Sequence, residues 1–149
     1  MSATPKKAKK EVNTGDLLKT LAKPSLKFED YLKKNSQSFM ESDRAKAWKI
    51  LKDKYISANT DIINKADIGY TFYYDILADR KTPKRDKLFR ILLAMKASLD
   101  DCQTMLRLYD YAPLYPKIKR ESAIIYAFNH SQSVYELNVV LDGIGEEKI

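Results

Sequence analysis

The sequence has little of the chemistry on which disulfides and metal sites depend, since one of its 149 residues is cysteine and one is histidine. A lone Cys102 can form no disulfide within the chain. Together with His130 it falls short of the four ligands of a structural zinc site. The sequence therefore predicts no metal site and no cofactor. Cys102 shares a helix face with Met105 and Leu106, so we expect a buried thiol.

Glycine is also scarce, and the four glycines of the chain form no glycine-rich phosphate-binding loop. There is no nucleophile elbow, and a single histidine leaves most candidate nucleophiles without a general base. The adjacent carboxylates Asp100 and Asp101 lie at an expected helix start, where negative charge complements the helix dipole. These observations argue against an enzyme and leave no catalytic residue to name.

Long apolar runs are absent, and none approaches the roughly 18 residues that span a bilayer. The N-terminus, MSATPKKAKKEVNTGD, is rich in lysine and lacks the apolar core of a secretory signal. We therefore expect a cytoplasmic protein that does not associate with a membrane. Low hydrophobicity and clustered lysines predict that residues 1–14 form a disordered basic tail.

Positive charge is present in excess, and it is unevenly placed. Residues 1–58 hold 14 Lys or Arg against 7 Asp or Glu, whereas residues 59–149 hold 13 against 13. Within the balanced half, a basic cluster is opposed by Asp86 alone; its members are Arg80, Lys81, Lys84, Arg85, Lys87, Arg90 and Lys96. Such a cluster favours polyanions through counterion release, although it is equally compatible with the solvated face of an amphipathic helix.

Hydrophobic spacing predicts helices along the chain and indicates no strands. Two small helices are expected within residues 15–41, with Pro24 ending the first. Trp48 shares a face with Leu51 and Tyr55 and is predicted to lie in the core. Serines suited to helix N-caps occur at 42, 98 and 133. The predicted fold class is all-α, a compact multi-helix domain with short loops.

One stretch, ISANTDIINKADIGYTFYYDILADRKTPKRDKLFRILLAM, orders these elements in a distinctive way: a helix, a tight turn, a second short helix, and a basic loop entering an amphipathic helix. In this order, residues 43–110 resemble the five-helix DNA-binding domain of the phage-repressor family, of Cro, lambda-repressor or XRE type. The loop DRKTPKRDKL and the pair Ile68 and Ile76 are its most family-like features. The stretch LRLYDYAPLYPKIKRESAIIYAFNHSQSVYELNVVL resembles the C-terminal extension of a group of bacterial proteins that carry this domain.

The resemblance implies a division of the chain and a helix-turn-helix. The divisions are a tail over 1–14, an N-terminal helical segment over 15–41, a lambda-repressor-like helix-turn-helix domain over 42–111, and a helical extension over 112–149 packed on it. Residues 59–66 would be the first helix of the motif, Asp67 and Ile68 its turn, and residues 70–78 the recognition helix.

Four positions depart from the family pattern. Ile63 replaces a small residue, Asp67 a turn glycine, Tyr73 a branched aliphatic, and Asp79 a helix-ending glycine. Aspartate tolerates left-handed backbone better than most residues, so we expect the turn to form. Ile63 and Tyr73 imply a wider or differently angled pair of helices.

The resemblance also implies which side chains contact double-stranded DNA. Those expected to face base edges are Tyr70, Thr71, Tyr74 and Asp75. Those expected at phosphates are Arg80, Lys81, Lys84 and Arg85 in the basic loop, with Asn59 and Thr60 at the start of the preceding helix. Tail lysines, Lys6, Lys7, Lys9 and Lys10, would add backbone or minor-groove contacts.

Two functions are compatible with these residues. The first is a sequence-specific transcriptional regulator, with a recognition helix near 69–79 in the major groove, the basic 80–90 segment on phosphates, and the helices after Ser98 serving homodimer formation or sensing. The alternative is a protein-interaction module, in which Tyr70, Phe72 and Tyr74 anchor a protein partner. The reason for this alternative is that the four expected base-reading residues include no Arg, Asn or Gln, the side chains that recognise bases most strongly. Phe72 or Tyr73 is expected to pack inward.

Overall fold

The computed structural model describes residues 13–37 and 39–149, and every regular element in these ranges is a helix. The all-α prediction is confirmed. In chain order the helices are Thr14–Leu21 (α1), Phe28–Lys34 (α2), Asp43–Lys54 (α3), Asn59–Ala66 (α4), Tyr70–Leu77 (α5), Arg85–Ala94 (α6), Leu99–Leu108 (α7), Lys119–Asn129 (α8) and Val134–Gly143 (α9).

The predicted basic tail lies outside the described residues except at its end. Asn13 caps α1, because its Oδ1 accepts a hydrogen bond of 2.7 Å from the amide of Gly15, and Thr14 is the first helical residue. The first helix therefore begins one residue before residue 15, the predicted start of the N-terminal helical segment. The tail lysines, Lys6, Lys7, Lys9 and Lys10, and their predicted contacts lie outside the described residues.

The chain divides into two compact units between Glu41 and Ser42. In the first unit, α1 and α2 form as predicted on either side of Pro24. Tyr31 is buried between the rings of Phe28, which stacks on it at 6.2 Å, and Phe39, which meets it edge-on at 6.3 Å. This aromatic cluster gives the first unit its own apolar centre.

The second unit covers residues 42–149, so the extension predicted over 112–149 belongs to the same compact unit as the helices before it. Its central element is α6, which packs against α4, α7 and α9. Further contacts are those of α3 with α5 and α7, and of α8 with α7 and α9. Six of the ten residues of α6 are apolar and buried, which is typical of a helix at the centre of a core. The buried residues of α6 are Leu88, Phe89, Ile91, Leu92, Leu93 and Ala94.

Local signals set the helix starts in this unit. The hydroxyl oxygens of Ser42, Ser98 and Ser133 each accept a hydrogen bond of 3.1 Å from the amide three residues on, so the three predicted N-caps are confirmed. Trp48 is 1% exposed, as predicted for a core residue. Cys102 is fully buried, and its burial raises the pKa of the thiol to about 12.

In residues 13–37 and 39–149, no helix combines the length and the apolar character that crossing a bilayer requires.

Candidate nucleic-acid interface

Two short helices, α4 and α5, are joined by Asp67, Ile68 and Gly69. Asp67 adopts left-handed backbone, with φ 51° and ψ 57°, and its amide donates to the carbonyl of Asn64 at 3.2 Å. The amide of Ile68 donates to the carbonyl of Ile63 at 3.3 Å, which ends α4 as a left-handed cap does. The turn forms with aspartate in the place of glycine. Asp79, at φ 57°, does the same after α5.

The two bulky departures, Ile63 and Tyr73, are both taken into the core. Ile63 is buried on α4, and Tyr73 is fully buried on α5 beside Ile76. The Tyr73 hydroxyl donates a hydrogen bond of 2.7 Å to Oδ1 of Asn59, and burial raises the pKa of Tyr73 to about 12. Asn59, predicted to contact phosphate, is half-buried and held by this bond. Tyr73 therefore fastens the first residue of α4 to the middle of α5.

The start of α5 presents Tyr70 and Thr71 to solvent, and Tyr70 is 63% exposed. The ring of Tyr70 leans on that of Tyr74, with centroids 4.7 Å apart, and Tyr74 meets the ring of Tyr73 edge-on at 5.2 Å. Tyr74 is half-buried, as is Phe72, which packs against the core. Of the four predicted base-reading residues, Tyr70 and Thr71 are thus the two fully presented to solvent.

The fourth, Asp75, is engaged within the protein. Its Oδ1 accepts a hydrogen bond of 2.8 Å from Nε of Arg80, and its Oδ2 lies 3.5 Å from Nζ of Lys81. The bond from Arg80 is the main reason that the pKa of Asp75 lies below its ordinary value, so the carboxylate stays charged. The side chains of Arg80 and Lys81 remain 64% and 58% exposed. Because Asp75 cancels one of the two positive charges of Arg80 and Lys81, the three side chains together carry a net charge of +1.

The two remaining basic-loop residues have different surroundings. Lys84 is exposed immediately before α6 and forms no ion pair among the described residues. Arg85 instead forms two hydrogen bonds with the carboxylate of Glu121, at 3.1 and 3.3 Å, and donates to the carbonyl of Ala112 at 2.9 Å. Its guanidinium also lies 5.2 Å from the ring centre of Phe89. Lys84 is therefore available for an outside anion, whereas Arg85 anchors α6 to α8 and to the segment before it.

Arg90 of α6 binds the end of α4 and the turn that follows it, a role that the sequence did not reveal. Its Nε donates to the carbonyl of Ala66 at 2.7 Å, and its Nη2 lies 3.3 Å from Oδ2 of Asp67. A third bond, at 3.4 Å, reaches the carbonyl of Ile149. An arginine satisfying the last carbonyl of a helix 24 residues earlier leaves no local pattern to detect.

The starts of α4, α5 and α6 share one feature. In α4, α5 and α6 the N-cap residues are Ala58, Gly69 and Lys84, and none of them caps the helix through its side chain. In α3, α7 and α9 a serine hydroxyl does so, and α8 lacks such a bond as well. The first-turn amides of a helix attract anions when no side chain accepts from them. Thr60, Tyr70 and Lys84 stand at these three uncapped starts.

Comparisons of the chain with protein-family models, curated proteins and solved structures gave no match. The function of this chain is therefore inferred from its own residues and their geometry.

Proposed function

We propose that the unit formed by residues 42–149 is a DNA-binding transcriptional regulator of the helix-turn-helix type, related in helix order to the phage repressors. The observation that carries the proposal is the α4–α5 pair, in which a three-residue turn that begins with left-handed Asp67 leads into a helix that exposes Tyr70 and Thr71 at its start. Helix-turn-helix proteins place base-contacting residues at that end of the second helix, in the major groove.

Phosphate contacts in this proposal come from the uncapped helix starts and the free cation beside them. Thr60 and the first amides of α4 would meet one phosphate, and Lys84 with the first amides of α6 another. Arg80 and Lys81 contribute at reduced strength because Asp75 neutralises part of their charge. Arg85 is left out, since its guanidinium already binds Glu121.

Sequence reading would then fall mainly to Tyr70 and Thr71. A tyrosine hydroxyl can donate and accept, and a threonine methyl can contact the methyl group of thymine. Neither side chain offers the paired donors or acceptors of Arg, Asn or Gln. We therefore expect positioning contacts to dominate affinity and discrimination between sites to be modest.

A selection from a random pool of duplexes, using the full chain, tests the proposal. The winning duplex and a scrambled one are then titrated between about 50 and 200 mM salt, where phosphate contacts weaken steeply. We expect the winner to bind more tightly at every salt concentration. The solution mass, measured with and without the duplex, decides whether one copy binds or a homodimer does. Equal affinity for both duplexes would overturn sequence-specific regulation.

Two substitutions separate the proposed roles. Lys84→Ala should weaken both duplexes equally and lower the salt slope by about one, whereas Thr71→Ala should change the preferred sequence. Lys46→Ala removes the same charge from an exposed position of α3 and should change neither property. Unchanged affinity in Lys84→Ala would remove the phosphate contact from the proposal.

One observation favours a second candidate, a protein-interaction module with little specific DNA binding. The rings of Tyr70 and Tyr74 are in contact, tilted at 60°, beside a loop whose charge is partly cancelled by Asp75. Exposed aromatic side chains are common anchors in protein interfaces. Phe72 packs against the core, so the anchor would consist of the tyrosine pair alone. Weak binding of all duplexes, unaltered by Tyr70→Ala and by Thr71→Ala, would favour this candidate.

A further inference from the structure

A cleft of about 220 Å³ lies in the second unit, between one wall formed by α4, α6 and the α6–α7 turn and another formed by the α8–α9 turn and the start of α9. None of its lining residues belongs to α5 or to the basic loop. Its volume is below the roughly 300–1,000 Å³ of sites for drug-sized ligands, so the cleft suits a molecule the size of an amino acid.

The first wall is cationic. Lys65 on α4 and Lys96 in the α6–α7 turn both line the cleft and are exposed, and neither forms an ion pair among the described residues. Lys96 is held at φ 57°, in left-handed backbone. The same wall includes the apolar side chains of Leu93 and Ala94 on α6. Two ammonium groups on one wall favour a carboxylate or a phosphate on this side of the cleft.

The second wall accepts hydrogen bonds. Gln132 lines this wall. Its side-chain oxygen Oε1 is buried and has no hydrogen-bond partner among the residues that the structure describes. A buried acceptor without a donor is costly, and most such atoms in folded proteins are paired. Glu136 adds a carboxylate to the same wall, accepting from the hydroxyl of Ser133 at 3.3 Å. This wall favours a cationic N–H donor.

We propose that the cleft binds a small zwitterion, with its carboxylate or phosphate towards Lys65 and Lys96 and its ammonium towards Gln132 and Glu136. A simple anion would meet the charge of Glu136 and leave Oε1 of Gln132 unpaired. A simple amine would meet two lysines. A molecule that carries both charges can bind both walls at once. The proposed zwitterion site does not depend on the proposed DNA-binding surface.

Binding is tested on the full chain without DNA, using two zwitterions that differ in the anion. O-Phosphoethanolamine supplies a phosphate and β-alanine a carboxylate, while inorganic phosphate and ethanolamine each supply one of the two charges. Titration is followed by calorimetry and by the NMR shifts of the Lys65, Lys96 and Gln132 amides. We expect one zwitterion to bind at least tenfold more tightly than either single-charge control, and the tighter of the two identifies the anion. Zwitterions that bind no better than inorganic phosphate would overturn the proposal.

Substitutions distinguish a loss of binding from a loss of folding. Gln132→Leu replaces the unpaired acceptor by an apolar side chain of similar size, so binding should fall at least tenfold while the Tm stays the same or rises. Lys65→Gln should weaken binding severalfold. Lys117→Gln, an exposed change before α8 and therefore at the opposite end of that helix from Gln132, should leave binding unchanged. Undiminished binding in Gln132→Leu would contradict the assigned geometry.

Discussion

The hydroxyl of Tyr73 donates a hydrogen bond of 2.7 Å to the side-chain oxygen of Asn59, which joins the core of α5 to the first residue of α4. A branched aliphatic residue at position 73 could fill the core but could not make this bond. The large side chain thus has a polar tip that finds a partner, as buried tyrosines usually do. The bond holds together the two helices on which the proposed function depends.

Removing that hydroxyl should loosen the pair without emptying the core. We expect Tyr73→Phe to lower the free energy of unfolding by about 1 kcal/mol, the usual net value of one hydrogen bond, and Asn59→Ala to cost a similar amount. The double variant should cost less than the sum, because both changes remove the same bond. Urea unfolding measures all three. Tyr70→Phe, at an exposed position, should change little, and strictly additive losses would show that the bond contributes nothing.

Features that depend on neighbouring residues were predictable from the sequence. A serine hydroxyl caps an amide three residues away, and aspartate tolerates left-handed backbone, so the caps at 42, 98 and 133 and the turn at Asp67 followed from local chemistry. The amphipathic spacing around Trp48 indicated its burial for the same reason.

Pairings between distant residues were not predictable. Arg85 and Glu121 are 36 positions apart, and Tyr73 and Asn59 are 14 apart on separate helices, so no spacing rule connects them. A charge pattern shows that Arg85 is basic but not that a carboxylate from α8 already binds it. The sequence therefore placed Arg85 among the phosphate contacts, and only the packing of α8 indicates its anchoring role.

Trp48 and Tyr109 provide a second test of a buried bond. The indole Nε1 donates to the Tyr109 hydroxyl at 2.7 Å, and both side chains are at most 3% exposed. Tyr109→Phe keeps the ring under Arg44, whose guanidinium lies 4.4 Å from its centre, but leaves the indole N–H unpaired. We expect a loss of about 1–3 kcal/mol in the free energy of unfolding. The fluorescence of the chain's one tryptophan should also change.

The matched control is Tyr135→Phe, because Tyr135 is 77% exposed. Its unfolding free energy should stay within about 0.5 kcal/mol of the original chain. A Tyr109→Phe protein as stable as this control would mean that the indole N–H finds another partner.

The ion pair of Glu121 with Arg85 makes the free energy of unfolding depend on pH in the acidic range. Partial burial alone would raise the pKa of Glu121, but hydrogen bonds from Arg85 and from the Tyr115 amide outweigh it and hold the pKa below its ordinary value. Because the folded pKa is the lower one, the pair stabilises the fold fully above about pH 4.3 and loses its effect as pH falls through the folded value. Glu121→Gln should cost about 1–2 kcal/mol at pH 7.

Urea unfolding of the original chain and of Glu121→Gln at several pH values checks the sign. The difference in their unfolding free energies should be constant at neutral pH and shrink progressively below about pH 4.3. Glu29→Gln, at an exposed position of α2, should show no such difference. A difference that grows with acid would contradict the lowered pKa.

Asp75 should restrain DNA binding rather than assist it, since its carboxylate holds Arg80 at 2.8 Å and Lys81 at 3.5 Å. Asp75→Asn frees both cations, so affinity for all duplexes should rise and the salt slope should steepen by one to about two units. Asp142→Asn makes the same change in net charge on the exposed side of α9 and should have a much smaller effect. If Asp75 instead reads a cytosine amine, as the family resemblance implied, the substitution would change the preferred sequence and lower affinity for the selected duplex. The direction of the change in affinity therefore distinguishes an internal clamp on the basic loop from a base-reading contact.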